Sequence, residues 1–342
     1  MKSCFISTYK GEWMRPAAVL KDRLGYEIVE LNGKEYLSIS NRWNLLWKEL
    51  KNTYNIIRNF KKINYSDIII CPNYVCLFLL LMQKVHVLKV KKICWYGMYL
   101  HNPKWIKRLG KLMKLFSPSL NNFRIIVFSK AELKLYTENW DGVVESRCFR
   151  YVPYGDWNNS LSGPYIQGEG YFFSGGYSNR DYIPLIEAFT GKKEKLFIAA
   201  SKQNTDLIEW LKRHELSENI LIYLDVSQEY FDELLRGAKA VVFVMKYNTG
   251  AAGQMVLLNA MANRKLIITT YTDVLDEYVK NNESALVFNK ENVQICLQEI
   301  IPKVEKNINA YQSMVDRAYE IYKAKFSFEA ISEVLVEEIS KL

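Results

Sequence analysis

The chain has 342 residues, with 46 Lys and Arg against 37 Asp and Glu, for a formal net charge of +9. Hydrophobic residues make up 49% and charged residues 24%, which excludes a wholly disordered chain, and the length suits about two domains. The charge is divided unevenly: residues 1–160 carry 26 basic and 12 acidic side chains (+14), and residues 161–342 carry 20 and 25 (−5). That asymmetry directs an anionic partner to the first half.

In chain order, short apolar runs alternate with longer amphipathic segments. Strands are expected at 3–7, 27–31, 67–71, 92–96, 124–128 and 147–152, with helices at 14–24, 43–62, 74–83, 103–116 and 130–139. In the segment 43–62, Trp43, Leu46, Trp47, Leu50, Tyr54 and Ile57 share one face, which predicts a helix that buries that stripe. The second half repeats the scheme. Strands are expected at 170–174, 195–200, 219–224, 238–244, 265–270 and 285–288, and helices at 180–190, 205–214, 228–236, 252–263, 273–280, 293–301 and 302–325. Pro302 motivates the break before the last of these, because proline suits a first helical turn better than an interior. Ser327 offers an N-cap for a final helix with Ile331, Val334, Leu335 and Ile339 on one face, and Phe326 is placed to staple onto Ile331.

Strand–helix alternation predicts an α/β protein of two Rossmann-like domains facing across a cleft. The boundary falls in residues 153–170, rich in Gly, Pro and Asn. The expected division is 1–158, 159–325 and a terminal helix, 326–342, packing toward the first domain. The six cysteines show no CxxC spacing and lie in apolar runs, so reduced buried thiols are expected and a zinc site is not. The N-terminus lacks a signal-peptide core, and no apolar stretch reaches the length needed to span a bilayer. A cytoplasmic location follows as the expectation, with the inner face of the cell membrane a natural place of work.

No acidic residue occurs from Ile68 to Ala131, a window with eleven basic ones. Within it, residues 104–116 read as a basic amphipathic helix. Trp105, Leu109, Leu112, Met113 and Phe116 form the apolar face, and Lys104, Lys107, Arg108, Lys111 and Lys114 the charged one. Each Lys or Arg near an anionic membrane contributes about 1 kcal/mol, so the helix is a candidate membrane contact; a solvated helix packed on the sheet is the plainer alternative. Nucleic acid is disfavoured as a partner, since no helix-turn-helix, zinc finger or RNA-binding fingerprint is visible.

Two segments of the second half carry chemistry. In Tyr171-Phe172-Phe173-Ser174-Gly175-Gly176-Tyr177-Ser178-Asn179-Arg180, a strand enters a glycine loop and then a helix with Arg180 near its first turn. Such a turn exposes backbone amides to an anion, and Arg180 adds a cation whose fork matches phosphate. In the second segment a strand ends at Val244-Met245-Lys246, the small residues Thr249, Gly250, Ala251, Ala252 and Gly253 follow, and an apolar helix contains Gln254 and Asn259. Buried polar groups of that kind need partners, either structural or on a ligand.

Together these segments resemble the carboxy-terminal domain of the family-4-like glycosyltransferases of the GT-B fold, the glycosyl transferases group 1. Residues 174–189 are similar to that family's glycine turn, basic residue and helix reading Leu-Ile-Glu-Ala-Phe. Residues 253–262 resemble its Leu-Leu-Glu-Ala-Met-Ala helix, and 265–270, Asp276-Glu277-Tyr278-Val279 and 285–288 the stretch that follows. Tyr151-Val152-Pro153-Tyr154-Gly155 resembles its domain junction. The resemblance covers about 124–342; the first 120 residues match in architecture alone.

The resemblance implies a retaining transfer of sugar from a nucleotide-sugar donor; the basic first half directs the transfer to a lipid-linked or cell-surface polysaccharide, and no metal or other cofactor is expected because no DxD-like motif stands out. Arg180 stands where the family has a lysine that stabilises the leaving diphosphate. Gly175 stands where the family has an arginine, and Lys202 or Lys246 is a substitute for that missing cation. The family's paired glutamates fall on Ala251 and Asn259, and Glu277 matches a common family glutamate. Ser174, Gly175, Gly176, Lys202, Lys246, the 249–254 loop, Asn259 and Glu277 are thus candidate donor-side residues. His101 in Tyr99-Leu100-His101-Asn102-Pro103 is a candidate catalytic residue on the acceptor side, with a helix-start hydrogen bond as its plainer role. Gly11 and Trp13 are acceptor-side candidates from position alone. The departures at Gly175, Ala251 and Asn259 favour one other reading, a non-catalytic glycan- or partner-binding subunit; a nucleotide-sugar epimerase of the same fold is a further alternative, against which the missing nucleotide-side glutamates count.

Overall fold

The structure, a computed structural model, describes residues 3–7, 15–30, 42–71, 75–98, 103–116, 119–158, 170–247 and 252–342, with backbone alone for 42–49, 103 and 119. Two compact units divide the chain: Met1–Asn158 together with Phe328–Leu342, and Asn159–Ser327.

The first unit contains β1 (Ser3–Ser7), α1 (Arg15–Leu24), β2 (Glu27–Glu30), α2 (Arg42–Arg58), α3 (Phe60–Asn64), β3 (Ile68–Cys71), α4 (Val75–Lys84), β4 (Lys92–Tyr96), α5 (Pro103–Met113), β5 (Phe123–Val127), α6 (Lys130–Asn139) and β6 (Phe149–Tyr151). Its six strands pair in parallel in the order β2-β1-β3-β4-β5-β6. Nearly every residue of β1, β3, β4 and β5 is buried, as two-sided parallel strands require. One sheet face packs on Ile56 of α2, Ile63 of α3, Leu79 of α4, Ile106 and Met113 of α5 and Trp140. The other packs on Ala17 and Leu20 of α1 and on the last helix of the chain.

The second unit contains β7 (Tyr171–Gly175), α7 (Tyr182–Phe189), β8 (Lys195–Ala200), α8 (Thr205–Leu211), β9 (Ile220–Leu224), α9 (Gln228–Gly237), β10 (Ala240–Phe243), α10 (Gln254–Ala262), β11 (Leu266–Thr270), β12 (Leu286–Phe288), α11 (Val293–Lys306) and α12 (Gln312–Lys325). Its strands are parallel in the order β12-β11-β10-β7-β8-β9, the doubly wound order in which direction reverses between β7 and β10. The last helix, α13 (Phe328–Ser340), returns to the first unit. Ile331, Leu335 and Ile339 bury there as one stripe, and an added Cβ on Gly155 would lie 2.5 Å from Ile331, so that close approach needs glycine.

Several expectations from sequence are corrected. The helix expected over 43–62 breaks at Asn59 into α2 and α3. Its orientation is also reversed in the described part: Asn52, Asn55 and Ile56 are buried, while Leu50, Tyr54 and Ile57 are more than half exposed. Pro302 starts no helix; it lies inside α11, which runs on to Lys306 and is capped by Asn307, where φ −153° and ψ 75° leave helical geometry. The helix expected over 273–280 is one 3-10 turn, Leu275–Glu277. The ring of Phe326, expected as a staple, lies 4.4 Å from that of Tyr278, and Ser327 Oγ donates back to Lys323 O. All six cysteines are free, five of them buried. No helix among the described residues is long and apolar enough to cross a membrane.

Candidate functional site

The strand order of the second unit creates the site. Where direction reverses, the carboxyl ends of β7 and β10 leave an opening that neighbouring crossovers do not cover. Gly175 closes β7, and Gly176 turns the chain with φ +125°, a conformation L side chains avoid. Asn179, with φ +55°, then uses its side chain like a strand edge: Nδ2 donates to Tyr247 O at 3.1 Å and Oδ1 accepts from Tyr247 N at 2.9 Å. Arg180 makes an antiparallel bridge with Met245, and Asp181 N donates to Val244 O. These ties bind the turn after β7 to the segment after β10. Arg180 therefore precedes α7, which starts at Tyr182, rather than lying in its first turn.

Arg180 is 3% exposed. Its Nε donates to Gly175 O at 2.9 Å, its Nη1 to Ser178 O at 3.1 Å, and Met245 Sδ lies 3.2 Å from Nη1. The guanidinium carbon sits 5.3 Å above the Phe243 ring. Among the described residues no carboxylate pairs with this cation. Burial pushes its pKa below the ordinary arginine value, and burial likewise pushes the phenol of Tyr182 well above its own. Tyr182 OH is held neutral against Gly176 O at 2.6 Å.

Met245 links Arg180 to α10. Its Cε lies 3.2 Å from where a Cβ on Gly253 would stand, and Gly253 (φ +91°) is the N-cap residue of α10, with no side-chain cap. The start of that helix, which Gly253 leaves without a side-chain cap, and the Arg180 cation thus lie on the two sides of one methionine. Both favour negative charge.

The other donor-side candidates are largely engaged within the protein. Gln254 Nε2 donates to Tyr278 OH at 3.0 Å. Asn259 is used at both ends: Nδ2 donates to Asp232 Oδ1 at 2.6 Å, and Oδ1 accepts from Asn263 at 2.7 Å. Lys202 Nζ stands 3.9 Å from Asp225, and Lys246 Nζ bonds Asp206, whose carboxyl it holds below the usual range. Gly175 admits no side chain, since its Cβ would lie 2.5 Å from the Phe231 ring. Ser174 is fully buried in β7, and Glu277 ends the 3-10 turn. Ala252 is half-buried beside Gly253. Thr249, Gly250 and Ala251, with His101, Gly11 and Trp13, lie outside the described residues.

Sequence reasoning missed Phe243, Met245, Asn179 and Asp232. Of these, Asn179 alone carried a local signal, as an asparagine in a glycine-containing turn. Among the described residues no group of three His, Cys, Asp or Glu is close enough to hold a metal ion.

In the first unit Lys104, Lys107, Arg108, Lys111 and Lys114 are all exposed. The buried face of α5 is Ile106, Leu109, Gly110 and Met113, extended by Phe116. Trp105 and Leu112, expected on that face, are exposed instead, because Trp140 claims the opposite side of the helix: its indole donates to Ile106 O at 2.9 Å and lies over Gly110.

The profile of the family described as glycosyl transferases group 1 matches residues 178–321, which contain Arg180, Met245 and all of α10. The matched segment makes up most of the second unit and includes the switch-point site. The twin six-stranded α/β architecture is that of GT-B glycosyltransferases. The structure of HepE from Anabaena in complex with UDP-glucose is similar with a TM-score of 0.70 at 12% identity, covering 100% of both chains. A glycosyltransferase from Rickettsia africae is similar with a TM-score of 0.71 at 14% identity, covering 100% of this chain and 99% of that one. WaaG, a glycosyltransferase involved in lipopolysaccharide biosynthesis, is similar with a TM-score of 0.65 at 12% identity, covering 98% and 99%. No curated protein sequence matches the chain.

Proposed function

We propose that this protein transfers a sugar, with retention at the anomeric carbon, from a nucleotide-sugar donor to a lipid-linked or cell-surface polysaccharide acceptor. The observation that carries the reading is Arg180: a buried cation that no described carboxylate neutralises, one methionine away from the uncapped start of α10. A diphosphate suits that place because the site supplies charge and amide donors without its own anion. The acceptor hydroxyl oxygen bonds to the anomeric carbon as the bond to the diphosphate oxygen breaks. The electron pair leaves on the diphosphate, which takes the hydroxyl proton. The UDP-glucose held by HepE supports a nucleotide-sugar donor.

The exposed cations of α5 suit the inner face of a membrane, or the diphosphate of a lipid-linked acceptor, as the place of action. The lipopolysaccharide role of WaaG supports an acceptor of that class.

Thermal shift with UDP-, GDP-, dTDP- and CMP-sugars tests the donor reading. A ligand at 100 times its Kd stabilises by about 2.7 kcal/mol, and one nucleotide series should raise the melting temperature. A second reading, a non-catalytic GT-B binding subunit, is favoured by the engagement of Asn259, Lys202 and Lys246 within the protein and by the filled slot at Gly175. It predicts no shift with any of the four.

A further inference from the structure

The first unit exposes apolar side chains where its sequence pattern would bury them. Leu50, Tyr54 and Ile57 follow helical spacing i, i+4, i+7 on α2, so they form one outward stripe, and all three are more than half exposed. On α5 and the 3-10 turn after it, Trp105, Leu112 and Leu115 are also exposed. The two stripes belong to one surface. Helices α2, α4 and α5 cover the same face of the sheet, α2 packs beside α4, and Lys84 at the end of α4 donates to the carbonyl of Leu115. Leu81 and Val85, exposed around Lys84, continue the apolar surface between them.

The charge of that surface has one sign. Residues 50–64, 75–85 and 103–116 contain ten Lys and Arg and no Asp or Glu. On α5 the two kinds of side chain sort to opposite flanks. Trp105 and Leu112, one heptad apart, lie on one side, and Lys107 and Lys114, also a heptad apart, on the other. Arg108 lies between, its guanidinium carbon 4.9 Å from the centre of the Trp105 ring. An apolar flank beside a cationic crest is how a helix lies in the plane of a lipid interface. A second copy of the chain would bring like charges together, and soluble nucleic acid would leave the leucines in water. An anionic bilayer satisfies both.

We infer that the α2–α4–α5 face docks on an anionic lipid bilayer by insertion, with Trp105, Leu112 and Leu115 and the α2 stripe Leu50-Tyr54-Ile57 entering the headgroup–acyl boundary. The inference rests on the peripheral-membrane reading above and adds an apolar footing to it. Lysines hold the unit at the surface through long-range attraction, which salt screens, and the buried apolar area keeps it there when salt is high.

Vesicle co-sedimentation with phosphatidylglycerol–phosphatidylcholine mixtures, at low and at screening salt, tests this. Wild-type protein should retain bound fraction at screening salt. The pairs Leu112→Ser/Leu115→Ser and Tyr54→Ser/Ile57→Ser, all at exposed positions, should each weaken that salt-resistant binding by about tenfold or more. Circular dichroism melts should stay at the wild-type temperature. Nitroxide lipids labelled near the headgroup should quench part of the tryptophan emission, and Trp105→Phe should remove that part. Binding that salt abolishes and both pairs leave intact overturns insertion while leaving the electrostatic contact standing. An absence of binding to anionic vesicles at low salt overturns both. A dimer in sedimentation velocity that the α2 pair disperses reassigns the stripe to self-association and overturns the inference.

Discussion

Arg180 Nε donates to the carbonyl oxygen of Gly175 at 2.9 Å, so the cation of the candidate site also closes the turn that carries it. The binding group and its scaffold are one side chain. A substitution there has two consequences that separate measurements can read.

Arg180→Ala removes donors from Gly175 O and Ser178 O and opens a buried hole beside Phe243. We expect a stability loss of about 2–4 kcal/mol together with a fall in transfer rate of about 100-fold or more. Arg180→Lys keeps the charge but cannot span both carbonyls. It should recover more of the rate than of the stability. Denaturant melts beside initial-rate assays check this, and full activity in Arg180→Ala would remove the cation from the transfer step.

Gly175→Arg, which adds the cation usual in the family, should not raise activity by itself. Its Cβ would meet the Phe231 ring at 2.5 Å, and overpacking of this kind costs about 1–3 kcal/mol. Adding Phe231→Ala opens the slot, so the double variant should melt higher than the sum of the two single losses predicts. A double-mutant cycle by urea titration measures that coupling, and strict additivity counts against the steric account.

Burial of Lys265 lowers its pKa from 10.5 to about 8. Between those values the unfolded chain holds more of the proton than the folded one, so this site's contribution to stability rises with pH across that window. Below about pH 8 the folded protein carries the full cost of a buried charge. Lys265→Met should therefore gain stability relative to wild type near neutral pH, and the difference should shrink toward pH 10. Paired melts across that range check the slope; a difference independent of pH would contradict it.

Asn259→Glu restores a carboxylate at a position where Nδ2 now lies 2.6 Å from Asp232. Two carboxylates at that range share a proton, which raises a folded-state pKa. Stability linked to the pair is then present at acidic pH and lost as pH rises through the raised value. The variant should be most destabilised against wild type at about pH 8 and least at about pH 4, with Asp232→Asn reversing the loss. Chemical denaturation at both pH values provides the comparison.

Twelve strands were legible in the sequence because parallel strands buried on both faces read as short apolar runs, Ile68-Ile69-Ile70 and Leu266-Ile267-Ile268 among them. The direction of α2 was not legible. Periodicity reveals that Leu50, Tyr54 and Ile57 share a side, but which side meets the sheet depends on neighbours, and here Asn52, Asn55 and Ile56 meet it. Pro302 misled for a related reason, since a proline inside α11 removes one backbone donor without ending a helix that Leu297, Ile301 and Val304 anchor. At the site, the glycine turn and Arg180 stood out locally. Their tie to Phe243 and Met245, some 65 residues along the chain, could be seen only once β7 and β10 were neighbours.

The return of α13 to the first unit has a consequence for how the protein is made. Ile331 fills the space over Gly155, and the layer formed by Phe5, Leu20 and Ile126 is covered in part by Leu335 and Ile339. During vectorial synthesis the first unit emerges early yet lacks that cover, while residues 159–327 are still being translated. The N-terminal unit cannot be completed until α13 has been made, and a fragment ending near residue 158 should behave as an unfinished fold with one sheet face covered by α1 alone.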